Sequence, residues 1–192
     1  MRTFTKLAIA VGAGVLVVGG GTATVLAAQQ DGGPTRTADS RTTEVTGTGG
    51  GSGATVSLAE AVRTAQGEVP HGVAVEADLD DDNGAAHWEI DLVTGDTART
   101  VYVGADDGKV RRTGRDTLDR DDRAAAAAHV DLLTAVRTAQ RAAPDAGAAT
   151  EADADFDGSR LVWEVSFGAH DDEQEVTVDA RTGHAGSPTT DD

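Results

Sequence analysis

The sequence contains no cysteine. That one absence excludes disulfide staples, a cysteine nucleophile and a lipid-modified cysteine behind the leader. An exported domain without staples must hold together by packing, which calls for a core larger than either half of this chain would supply. Positive charge is the second shortage. Sixteen Lys and Arg against 33 Asp and Glu give a formal net charge of −17, two units more negative once Arg2 and Lys6 leave with the leader. Nucleic-acid phosphates and anionic lipid would both be repelled; basic partners and weakly held divalent cations would not. Catalytic motifs are missing as well. There is no HExxH, and GTGGGSG has neither the lysine of a phosphate loop nor a strand before it. His71, His87, His129, His170 and His184 are scattered and form no close-spaced ligand set. The reading is a non-enzymatic protein without a cofactor.

Turning to what is there, Arg2 and Lys6 precede the apolar run LAIAVGAGVLVVGGGTATVLAA, Leu7–Ala28. It fits an export signal cleaved after Ala27 or Ala28, or an uncleaved anchor, since its 22 residues would span a bilayer. Either way the remainder is expected outside the cytoplasm, secreted or membrane-anchored. Residues 29–54 are poor in apolar side chains and rich in glycine, which describes a disordered linker. A loose tail is expected over 188–192. The abundance of Ala, Gly, Asp, Thr and Arg resembles proteins of high-GC actinobacteria.

Between these ends lies an internal repeat. AVRTAQ occurs at Ala61–Gln66 and again at Ala135–Gln140, an offset of 74. Past Pro70 and Pro144 the offset becomes 75, and it then pairs Glu76 with Glu151, Asp78 with Asp153, Trp88 with Trp163, Val103 with Val178 and Gly108 with Gly183. Ser57 and Glu60 form a capping-box pattern before a Leu58, Ala61, Val62, Ala65 stripe, and Asp131 takes the cap position before Leu132, Ala135, Val136 and Ala139. Pro70 and Pro144 end the helices. Three strands follow in each copy: Val73–Asp78, His87–Leu92 and Arg99–Val103, then Ala148–Asp153, a WEV strand, and Glu173–Asp179. Their alternation places Trp88 and Trp163 in the core and turns His87, Glu89, Asp91 and Glu164 outward. Tyr102, out of phase with Val101 and Val103, is a candidate for a partner surface. Gly108 and Gly183 close turns. The fold class is therefore α+β: a tandem repeat of one helix packed on a three-stranded antiparallel β-meander. The units cover residues 55–112 and 129–187, joined by a linker over 113–128 with a helix-prone alanine run. Each is marginal alone, so the two are expected to share a sheet edge or a helical face.

The order of helix, acidic hairpin, WEI or WEV strand, then VYVGADDGKV or VTVDARTGHA resembles two PepSY domains in tandem. Asp179–Gly183 follows the family's strand-to-turn ending closely, whereas the first unit has Gly104 where the aspartate would stand. The resemblance implies a place in the cell envelope and a role in inhibiting or regulating a secreted or membrane-associated peptidase. The family brings no catalytic residues, and a peptidase partner would act in trans.

DADFDGSRLVWE, Asp153–Glu164, also satisfies the D-x-D-x-D-G-x₅-E spacing of a calcium loop. Asp78, Asp80, Asp82 and Glu89 repeat it, with Asn83 at the glycine position. Yet Glu164 lies in an alternating strand, roughly 20 Å along the chain from Gly158 at about 3.3 Å per residue. It is therefore read as an outer-face strand residue, and the aspartates as acidic hairpin turns. Weak calcium binding at Asp153, Asp155 and Asp157, or at Asp78, Asp80 and Asp82, is the alternative function.

Overall fold

The computed structural model describes residues 54–80, 85–168 and 173–190, all within the compact unit Thr46–Asp192. The leader and nearly all of the linker lie outside the described residues, as do Asp82, Asn83 and the last two residues. Among the described residues no helix is long and apolar enough to cross a membrane.

The first half begins with α1, Leu58–Glu68, whose start is set by side chains. The Ser57 side chain accepts from the Glu60 backbone N–H, and the Glu60 carboxylate accepts from the Ser57 N–H at 3.0 Å. These reciprocal bonds satisfy donors that a helix start otherwise leaves open. Leu58, Ala61, Val62 and Ala65 are buried along one stripe. Strands β1 (Val73–Asp80), β2 (His87–Thr94) and β3 (Thr97–Gly104) form the antiparallel meander, and a short β4 (Val110–Thr113) adds to its outer edge. The second half repeats this order. Its helix is preceded by α2, Arg120–Ala126, in the segment read as a linker. Then come α3 (Leu132–Ala142), β5 (Ala149–Asp157), β6 (Arg160–Phe167), β7 (Gln174–Asp179) and the two-residue β8, Thr189–Thr190. Asp131 caps α3 by accepting from the Thr134 N–H at 2.9 Å.

Each half thus carries a fourth strand beyond the three expected, and the stretch read as a loose tail supplies one of them. Thr189 pairs with Glu175 and Thr190 with Gln174. The hairpins are also longer than expected, because β1 continues to Asp80 and β5 to Asp157.

All eight strands join one antiparallel sheet in the order β4-β3-β2-β1-β5-β6-β7-β8. The halves meet at β1 and β5, with Ala77 opposite Ala152 and Asp78 opposite Glu151. Ala77 and Ala152 are repeat equivalents and both fully buried. Directly opposed residues in an antiparallel pair point to the same face, so α1 and α3 share one side of the sheet and cover a common core. Of the two options for joining the halves, the sheet edge is the one used.

Within that core Trp88 and Trp163 are anchored alike. Trp88 Nε1 donates to the Val56 carbonyl at 2.9 Å, and Trp163 Nε1 to the Val130 carbonyl at 2.8 Å. Each indole buries its ring and satisfies its one donor on the residue leading into its own helix. Gly108 and Gly183 adopt φ of 65° and 71° and donate to the carbonyls of Gly104 and Asp179. α2 packs against β1, β2, β5 and β6 without joining α1 or α3. Its Asp122 and the preceding Asp116 sense Glu76 and Asp91, which point away from the core, so α2 crosses the sheet's other face.

Candidate functional site: the carboxylate face of the sheet

Alternation that buries Trp88, Ile90 and Leu92 must turn His87, Glu89 and Asp91 to the opposite face. Strand register then decides which of the outward residues meet. Asp78 stands between Glu89 on β2 and Glu151 on β5; Glu76 stands opposite Asp91; Asp153 stands opposite Glu164. Side chains so placed have Cβ atoms about 4.5–5.5 Å apart, a spacing at which like charges repel. A row of carboxyl groups therefore runs across the seam between the halves.

Burial and crowding hold protons on this face. Burial is the main cause that pushes Glu76 up to about 7, followed by the charges of Asp153, Asp78, Glu151 and Asp122. Asp153 rises to about 8 through burial and then Glu151, Glu164, Asp155 and Glu175. Asp91 also rises to about 8, again chiefly by burial, with Thr100 favouring the charged form and Asp116 and Glu76 opposing it. Its Oδ1 is buried with no hydrogen-bond partner. Glu164 and Asp122 shift upward for the same first cause. Desolvation and like charge act in one direction here, both against ionisation.

The acidic strings occupy strands, not turns. Asp153 and Asp155 lie within β5; Asp78 and Asp80 lie within β1. The β5–β6 turn is the two residues Gly158 and Ser159, with Gly158 at φ 66°. Asp157 closes that hairpin and pairs with Arg160 at 2.6 Å. The roughly 20 Å of extended chain does not keep Glu164 away from the aspartates. Distance along the chain is irrelevant once the hairpin returns, and the register sets Glu164 directly across from Asp153. Outer-face placement holds for both residues; separation does not.

One more grouping was invisible as sequence spacing. On the β1–β2 hairpin, donor atoms of Asp80, His87 and Glu89 all lie within 4.8 Å of one another. The reading of the histidines as scattered therefore fails for His87. Its Nε2 is 3.3 Å from Glu89 Oε1, and its Nδ1 is 3.4 Å from the Ala85 carbonyl. Tyr102 is half-buried on the same face, its ring 5.6 Å from that of His87 and beneath the Arg112 guanidinium at 3.9 Å. Of the residues that sequence reasoning missed, Glu76, Asp116 and Asp122 carry no motif. Only register and the path of α2 bring them in.

The family described as "Peptidase propeptide and YPEB domain" (PepSY) matches the chain twice, at residues 55–113 and 130–185. Among solved structures, a "putative lipoprotein" of Clostridium difficile 630 aligns with 14% identity and a TM-score of 0.45, over 72% of this chain and 95% of that one. No curated protein matches the sequence.

Proposed function

The chain belongs to the PepSY family, and from that membership we propose that it is an exported, non-enzymatic interaction module that regulates a secreted or membrane-associated peptidase in trans. The observation that carries this reading is the family match over both halves of a single sheet. The chain's net charge of −17 suits a partner with basic side chains, because electrostatic complementarity accelerates encounter and fixes orientation. The test is enzymatic. The full chain, added to co-secreted peptidases, is expected to change the cleavage rate of at least one in a saturable way. Unchanged rates and no measurable binding across the set would remove the reading.

A second reading, extracellular calcium binding, draws support from the hairpins. They place the first and twelfth positions of each acidic string face to face, Asp78 with Glu89 and Asp153 with Glu164. Against it stand the Asp157–Arg160 ion pair and the protons held by burial. Calorimetry with calcium decides it: saturable heat lost in the double variant Asp155→Ala, Asp157→Ala supports calcium, and a trace matching buffer dilution ends it.

A further inference from the structure

The geometry points to a site for one divalent transition ion of the zinc class at Asp80, His87 and Glu89, on the carboxylate face of the first hairpin. It does not depend on the peptidase reading.

The donor set comes first. An imidazole with two carboxylates suits zinc and its neighbours, whereas calcium takes oxygen ligands alone. Bonds of about 2.0–2.1 Å put the donors of a tetrahedral or octahedral site roughly 3.0–3.4 Å apart. The Nε2–Oε1 separation of 3.3 Å already falls there, and the widest in the group is 4.8 Å at most. The half-buried carboxylates would close that difference by small side-chain adjustments on binding. Three protein donors leave further positions to water or a partner's side chain.

The orientation of His87 is the second, independent observation, because groups outside the cluster set it. Nδ1 lies against the Ala85 carbonyl, and the ring leans on Tyr102, itself covered by Arg112. Metal-bound histidines commonly donate their other ring N–H to such a carbonyl. With that proton on Nδ1, Nε2 offers a lone pair toward the Glu89 carboxylate. In that tautomer the ring nitrogen left free to bind a cation is the one that faces Glu89, whereas in the other a ring proton bridges the pair.

The other half supplies the third observation. Asp155 and Glu164 keep the carboxylates at equivalent positions, but His87 is replaced by Val162, which is 2% exposed. The hairpin therefore forms without an imidazole at this position.

Titration of the full chain with zinc chloride at about pH 7 is expected to show one zinc per chain at this site. Affinity should fall at least tenfold in His87→Val, which installs the residue the second hairpin already carries, and in Glu89→Gln. Asp155→Asn should leave it unchanged. Circular dichroism confirms that each variant is folded, and Glu89→Gln carries the test should His87→Val fail to fold. No saturable zinc binding would overturn the site, as would zinc binding unaffected by the loss of His87. Displacement of zinc by equimolar calcium would overturn it too, by showing general acidic attraction.

Discussion

The two halves of the sheet are the same device built twice, and they differ in what they put on the outer face. Both cap their helices with an oxygen side chain, hang a tryptophan from the residue before the helix, and turn on a left-handed glycine. On the outer face His87, Asp91 and Tyr102 of the first half become Val162, Ser166 and Thr177 in the second. A core position is constrained by volume and packing on every side, so the duplicated cores stay alike. An outward strand position is constrained mainly by its cross-strand neighbours, so it is free to diverge. Gly104 shows the same freedom at a turn. Asp179 in the second half accepts from the Arg181 and Thr182 backbone N–H groups, whereas a side chain at Gly104 would collide with the Arg111 guanidinium. There Asp107 carries the carboxylate instead, accepting from the Lys109 N–H and pairing with Arg111.

The sharpest way to break the comparison is to remove one anchor and watch the other half. Trp88→Ala or Trp163→Ala should each cost about 3–5 kcal/mol, the range for truncating a buried aromatic. Urea unfolding followed by circular dichroism should show a single transition in both variants, because one sheet and one core join the halves. Two separated transitions would show that the halves unfold independently.

Next in size is the pH dependence of the seam. Glu76 at about 7, and Asp91 and Asp153 at about 8, hold protons in the folded state that the unfolded chain releases near ordinary carboxylate values. The folded state therefore binds more protons between about pH 4 and 8, and stability falls as pH rises through that window. Asp107, Asp179 and Glu60 act oppositely: hydrogen bonds hold their pKa values down, so their contribution is lost as pH falls below the carboxylate range. The melting temperature should accordingly be higher at about pH 5 than at about pH 8. Asp153→Asn should narrow that gap and stabilise the protein at the higher pH by roughly 1–3 kcal/mol, by removing a buried charge. A melting temperature that rises from the lower to the higher pH would contradict the crowding of carboxyl groups around Glu76, Asp91 and Asp153.

The helix caps give the smallest effect. Ser57→Ala and Asp131→Ala should each lower stability by about 0.5–2 kcal/mol in thermal melts. Ser57→Ala should be no more costly than Asp131→Ala, since the Ser57 backbone N–H still donates to Glu60, whereas Asp131→Ala removes the acceptor of both the Thr134 N–H and the Thr134 hydroxyl.

Much of this architecture is legible in the residues. Ser57 with Glu60, the Leu58 and Leu132 stripes, and the alternation about Trp88 and Trp163 are local patterns, set within a few residues by helix and strand periodicity. The acidic strings were legible only as composition. Their spacing matches a metal loop and a hairpin equally well, and which carboxyl groups meet depends on hairpin register and, for Asp78 and Glu151, on pairing between strands distant in sequence.

By itself the sequence determined the duplicated α+β grammar, the buried and outward faces of each strand, and the acidic character of the outward one. Those follow from side-chain size and charge repeated at periods of 3.6 and 2. The tertiary structure alone decided that the halves join through Ala77 and Ala152, that α2 crosses the far face, and that His87 stands with Asp80 and Glu89. The first rests on pairing between strands far apart in sequence, the second on the path of the connecting segment and the third on hairpin register, where a shift of one residue would send every outward side chain to the core.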